Sequence, residues 1–190
     1  PPLGRAGEAV AVPVVSAAGG SISQVALLYW MSLRGAEHSV RIATPYFVPD
    51  SSLVAELEAA ARRGVEVTIL VPGEHNDSAL VRYASMVHYA DLLEAGVRIF
   101  EYQPTMMHAK AVTVDEGWSV VGSSNFDNRS FDLNYEITLA IPDSGLTSRL
   151  REVYEADLAK SSEVTLEDVR EWSVFERARN RLAYALREQL

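Results

Sequence analysis

Apolar and polar positions along this 190-residue chain follow two alternating periods. Ala9–Val15 is a short apolar run closed by Ala17-Ala18-Gly19-Gly20, the pattern of a buried strand and a loop. Ser21 and Ser23 are candidate caps for a helix reaching Leu33, with Gly35 as its stop. Val40, Ile42 and Thr44 predict a strand that gives way to loop between Pro45 and Pro49. Asp50-Ser51-Ser52 can cap a second helix, with Leu53, Val54, Leu57 and Ala61 at helical spacing and Gly64 ending it. Val65–Val71 is continuously apolar enough for a strand covered on both faces. A third helix, capped by Asp77 or Ser78, would turn Leu80, Ala84, Val87 and Leu92 inward and stop at Gly96 before a strand at Val97–Phe100.

From Lys110 to Ile141 the period shortens to strands and tight turns: Ala111–Val114, a turn near Asp115–Gly117, Trp118–Val121 and Asn134–Ala140. The tail from about Gly145 reads as helical, with a break at Glu163–Thr165. Strand–helix alternation followed by hairpins predicts an α/β fold, a mixed β-sheet sandwiched between helix layers. The chain reads as a single domain over residues 1–190, with 1–8 as a linker and 145–190 as the helical tail. It begins Pro1-Pro2, so we expect an excised or processed piece.

Composition narrows the function. Apolar residues make up 48%, enough for a core, and the net charge of −9 argues against coating nucleic acid through bulk positive charge. Local capture of an anionic substrate stays open. The absence of cysteine excludes disulfides, thiolate metal sites and a cysteine nucleophile. Val25–Met31, among the longest apolar runs, is far short of the roughly 18 residues of a membrane span.

One constellation carries chemistry. His108 and Lys110, two apart at a strand entry, project to the same face. A hairpin turning near Asp115 returns Gly122-Ser123-Ser124-Asn125 beside them, with Ser123 and Asn125 on one face. An imidazole nucleophile with ammonium, hydroxyl and amide donors suits transfer at a phosphodiester, where negative charge builds on the oxygens. Lys is a poor metal ligand, and neither a second His at ligand spacing nor a Gly-x4-Gly-Lys phosphate loop is present. We therefore expect no metal and no cofactor.

His108, Lys110, Asp115, Gly122, Ser123 and Asn125 match the H-x-K-x4-D-x6-G-S-x-N signature, and here the sequence resembles the phospholipase D superfamily. Thr44–Asp50, Arg62–Val65, Leu92–Val97 and Asn125–Phe131 resemble the C-terminal half of bacterial cardiolipin synthases, over about residues 10–170. The resemblance implies a phosphohistidine on His108, with Lys110, Ser123 and Asn125 holding the phosphate oxygens. It makes Glu136, in Leu133-Asn134-Tyr135-Glu136, the carboxylate that supports the nucleophile. Asp115 belongs to the signature as a catalytic candidate, although its place near a turn favours holding the hairpin.

Such synthases carry two signatures, and this sequence has one: His38, His75 and His88 lack a Lys two residues on. The implied partners are a second half, from the same full-length chain or a homodimer mate, and an anionic phospholipid, phosphatidylglycerol. The leading expectation is phosphatidyl transfer. A phospholipase D or homodimeric nuclease is the alternative, and a non-catalytic scaffold half the third reading. The resemblance places the full-length protein at the cytoplasmic membrane, with this chain as a soluble domain of it. Trp172, Phe175, Leu182 and Leu186, interleaved with Arg177, Arg179, Arg181 and Arg187, are expected in a terminal helix. Docking on the domain is its first reading, and lying on an anionic membrane the second.

Overall fold

A computed structural model describes residues 7–16, 23–127 and 129–186. The linker residues before position 7, the Ala17–Gly20 loop, the Ser21 cap and Arg187 lie outside the described residues.

Eight strands form one mixed sheet, β1 (Val12–Ser16), β2 (Ser39–Ala43), β4 (Glu66–Pro72), β5 (Arg98–Tyr102), β6 (Ala111–Val114), β7 (Trp118–Gly122), β9 (Glu136–Ile141) and β10 (Ser161–Val164). Across the sheet the order is β1-β9-β7-β6-β2-β4-β5-β10. β2, β4 and β5 run parallel, and the remaining pairs are antiparallel. Two short strands, β3 (Phe47–Val48) and β8 (Phe126–Asp127), pair in parallel beside it.

Strand alternation decides which residues face which helix layer. Val40, Ile42, Val67, Ile69, Val112 and Val120 point into the main core beneath α1 (Gln24–Gly35), α2 (Ser51–Arg62) and α4 (Tyr89–Glu94). On the opposite face α5 (Ser144–Leu158) meets Ala43, Leu70 and Phe100 through Tyr154 and Leu158. Polar contacts fix its placement: Tyr154 OH bonds Thr68 Oγ1 at 3.1 Å, and Ser119 meets Thr147 at 2.7 Å. Ser23 and Asp50 cap α1 and α2 as expected, and Gly64 follows α2 at φ +93°.

Four expectations are corrected. β1 is an edge strand rather than a buried one, because among the described residues it pairs only with β9 and leaves Val12 and Val15 half exposed. In α2 the buried alanine is Ala60, with Ala61 at the margin. The third helix is broken into α3 (Ala79–Ser85), a 3₁₀ turn at Met86–His88, and α4. Its inner face runs through Val81, Ala84, Ser85, Tyr89 and Leu92, so Leu80 and Val87 are one position out of phase. Finally, the helical tail is interrupted by β10, which extends the sheet beyond β5 and is tied there by the Arg98–Glu163 ion pair at 2.8 Å. Two helices follow, α6 (Leu166–Glu171) and α7 (Val174–Ala185). Among the described residues no helix is long and apolar enough to cross a membrane.

Candidate active site

The strand register brings the signature residues other than Asp115 to one end of the central strands. Ala111 lies opposite both Ala43 and Val121, and Gly122 lies opposite Thr138. The segments flanking those positions, Thr44–Phe47, His108–Lys110, Ser123–Asn125 and Glu136–Ile137, therefore converge. The parallel strands β2 and β4 deliver their C-terminal ends to the same place, the usual placement of sites in open α/β sheets.

His108 is exposed and Lys110 half-buried. The Lys110 ammonium lies 3.2 Å from His108 Nδ1 and also donates to the His108 carbonyl at 3.3 Å. Burial pulls the Lys110 pKa down, while the charges of Glu136, Asp127 and Asp77 oppose that shift. Ser123 Oγ accepts the Ile137 N–H at 3.1 Å, so its own hydroxyl hydrogen is free to choose between the Ile137 carbonyl and an incoming oxygen. Asn125 Oδ1 is buried with no partner among the described residues; as an acceptor it cannot meet a phosphoryl oxygen, so only the Nδ2 amide hydrogens of this side chain can donate to one.

Gly122 is required by the close approach of β9. A Cβ there would lie 2.4 Å from the Ile137 carbonyl and 2.6 Å from Thr138 Cα. Beneath the loop, Phe126 packs on Tyr29 and Phe47 with ring centroids 4.8 and 5.8 Å away, which anchors the 123–127 backbone to the core.

Asp115 holds the hairpin, as its place near a turn favours, and Glu136 makes other partners than the resemblance implies. Asp115 stands at the opposite end of β6, five positions along the chain or roughly 16 Å from Lys110. There its carboxylate accepts three backbone N–H bonds, from Glu37 at 3.1 Å and from His38 and Ser39 at 2.8 Å each. Burial pushes its pKa up, but these bonds outweigh it and hold the group below the ordinary carboxylate range. Glu136 does reach the site edge, yet among the described residues no hydrogen bond joins it to His108. Asn134 Nδ2 at 3.3 Å and Ser130 Oγ at 3.5 Å turn its carboxylate towards the 129–134 turn, and its charge acts on Lys110 instead.

Sequence reasoning did not find Asp77 or Asp127 as site residues. Tyr46 sets its ring edge-on to His108 at 6.1 Å and donates its hydroxyl to Asp77 at 2.6 Å. Burial, then Asp77, raise the Tyr46 pKa to about 12. Asp77 is thus a tyrosine partner, and the α3 cap is Ser78. Asp127 accepts from the Ser130 N–H at 2.7 Å, and burial raises its pKa. No short-range spacing signals these residues: Tyr46 and Asp77 are joined only because β2 and β4 are neighbours. Among the described residues no group of three His, Asp or Glu side chains is arranged to hold a metal.

An exposed imidazole beside an ammonium, with a hydroxyl and an amide on the adjoining segment, has the groups to bind a phosphodiester and attack it. Solved structures share this fold. The phospholipase D family member NUC from Salmonella typhimurium matches with TM-score 0.69 and 21% identity, over 83% of this chain and 99% of that one. Phosphatidylserine synthase from Haemophilus influenzae matches with TM-score 0.78 and 15% identity, over 95% of this chain and 48% of that one.

Residues 30–158 match the family described as cardiolipin synthase, phospholipase D-like domain, and the chain belongs to that family. Cardiolipin synthase A of Pseudomonas entomophila is 40% identical over 146 residues, which is 77% of this chain and 30% of the relative. Cardiolipin synthase A of Proteus mirabilis is 40% identical over 80% of this chain and 31% of its own. The chain thus spans about a third of the length of these curated relatives.

Proposed function

We propose that this chain is a catalytic half of a cardiolipin synthase-type phosphatidyltransferase, which moves a phosphatidyl group from one phosphatidylglycerol to a second and releases glycerol. The observation that carries this reading is the His108–Lys110 pair at 3.2 Å, at the same end of the central strands as Ser123 and Asn125, in a chain of this family. A ring nitrogen of His108 attacks phosphorus, and the P–O bond to the leaving glycerol breaks. Phosphoryl oxygens draw the Lys110 ammonium away from the imidazole and accept from the Ser123 hydroxyl and the Asn125 amide. The hydroxyl of a second phosphatidylglycerol then attacks the phosphohistidine and restores His108. Glu136 and Asp127 tune the Lys110 charge, and Asp115 shapes the far end of the hairpin.

Electrostatics favour a second half. Lys110 feels three carboxylates, Glu136, Asp127 and Asp77, so this edge alone is poor in the positive charge a phosphodiester needs. A poor alkoxide leaving group also needs a facing acid, typically worth ~10²–10⁴-fold. The sheet offers a place for such a partner: Ile137 and Leu139, with Val15 beside them on β1, are exposed on a sheet face that runs up to Ser123. The 48% coverage of the phosphatidylserine synthase chain accords with one half of a two-part fold. The net charge of −9 favours lipid over nucleic acid as substrate.

The test is to incubate the chain, alone and with its complementing half, with labelled phosphatidylglycerol, and in parallel with plasmid DNA. We expect glycerol release and a doubled lipid product with the complemented protein, abolished in His108→Ala. Plasmid cleavage without lipid product would favour the nuclease, and neither product the scaffold.

A further inference from the structure

Helix α7 docks on α3 through Asn180 and Ala183, both buried. A helix packed on one side ordinarily turns polar residues to water on the other. Here the outward arc carries Val174, Phe175, Ala178 and Leu182, of which Val174 is 85%, Phe175 76% and Leu182 66% exposed. Exposed Arg177 and Arg181 border this apolar arc.

Beside them lies a pocket of about 240 Å³ between α4, α6 and α7, floored by Ala90, Val169 and Trp172 and rimmed by Arg170, Arg177 and Arg181. Arg170 is offset by Glu94 at 3.4 Å. Arg177 donates to the Arg170 carbonyl at 2.7 Å, and Arg181 has no carboxylate partner among the described residues. The pocket is also lined by Asn180, a side chain only 2% exposed whose Nδ2 donor is buried without an acceptor among the described residues. Unpaired donors and cations beside an apolar floor ask for a ligand with anionic oxygens and a hydrocarbon body.

We infer that this pocket and the outer face of α7 form a docking surface for an anionic phospholipid bilayer. The headgroup phosphate sits at Arg177, Arg181 and Asn180 Nδ2, and Phe175 and Leu182 enter the acyl boundary. The whole chain carries −9, so the attraction is local and weakens with salt. The surface is separate from His108 but coupled to it in space. Ala183 and Tyr184 pack with Val48 and Tyr46, and the Tyr46 ring borders His108. A domain seated by α7 therefore holds its reactive edge near the lipid surface.

The test is flotation of the full chain with vesicles of mixed phosphatidylglycerol and phosphatidylcholine, against vesicles of phosphatidylcholine alone. Arg177→Ala/Arg181→Ala and Phe175→Ser/Leu182→Ser are compared with the parent chain. We expect the parent to float with the mixed vesicles only, and each double variant to bind about tenfold to thirtyfold more weakly. Both should keep parental turnover of a water-soluble phosphodiester and parental sedimentation. His108→Ala should bind vesicles like the parent, so failure of the proposed chemistry leaves this result standing. Vesicle binding equal in all the chains, no binding by the parent, or a loss of self-association in the α7 variants in place of a loss of vesicle binding would overturn the inference. The last outcome would assign the face to a second copy.

Discussion

Lys110 is the residue whose environment makes the sharpest statement about mechanism. In the proposed mechanism its charge is needed on the phosphoryl oxygens, and burial lowers its pKa while Glu136 and Asp127 oppose that shift. Turnover by the complemented protein should therefore fall on the alkaline side below the ordinary lysine value of about 10.4. Glu136→Gln removes a charge that favours the ammonium, so the alkaline limb should move to still lower pH. A pH–rate profile that shifts upward, or not at all, would refute the coupling. Lys110→Ala should cost at least the ~10²–10³-fold seen when one donor is removed from such a site. The lysine was legible in the sequence because a strand places i and i+2 on one face. Of the carboxylates around it, Glu136 was named from the resemblance, though as a partner of His108, whereas Asp77 and Asp127 were not found because they arrive from separate segments.

Among the elements, the β6–β7 hairpin best separates structure from chemistry. Asp115 turns that hairpin at φ 50° and ties it to the start of β2 through the three N–H bonds. Asp115→Asn keeps the tolerance for that backbone conformation but loses the anionic acceptor, and should cost about 1–2 kcal/mol in urea unfolding near neutral pH. A carboxylate held below its unfolded pKa stabilises the fold above that value and loses the effect as pH falls through its folded pKa. The gap between parent and variant should thus close in acid, with turnover preserved. A catalytic loss at unchanged stability would return Asp115 to the reactive machinery. The hairpin, the caps at Ser23 and Asp50 and the covered strand β4 were readable from period and capping chemistry. β10 was not, because Ser161-Ser162-Glu163 carries no apolar alternation and is held at the edge by backbone pairing and Arg98. The phase of α3 failed for a different reason. Leu80 and Val81 are both apolar, and only packing decides which one turns inward.

Taken whole, the molecule presents a reactive edge next to an uncovered apolar sheet face. Burying Val15, Ile137 and Leu139 against a second half would contribute roughly 25 cal/mol per Å² of apolar surface removed from water. Activity of the chain alone should therefore rise more than linearly with protein concentration, and Ile137→Asp should suppress that rise while the monomer stays folded. A monodisperse monomer with full, concentration-independent turnover would contradict the shared site.

Covalent attachment at His108 can be read without a second half by using bis(p-nitrophenyl) phosphate. Nitrophenolate leaves without general-acid help, so the nucleophile alone suffices for the first step. We expect a burst of nitrophenolate, with a nitrophenyl phosphate adduct located on His108 by mass spectrometry after alkaline quench and absent from His108→Ala. An adduct on another residue, or the same burst from His108→Ala, would contradict it.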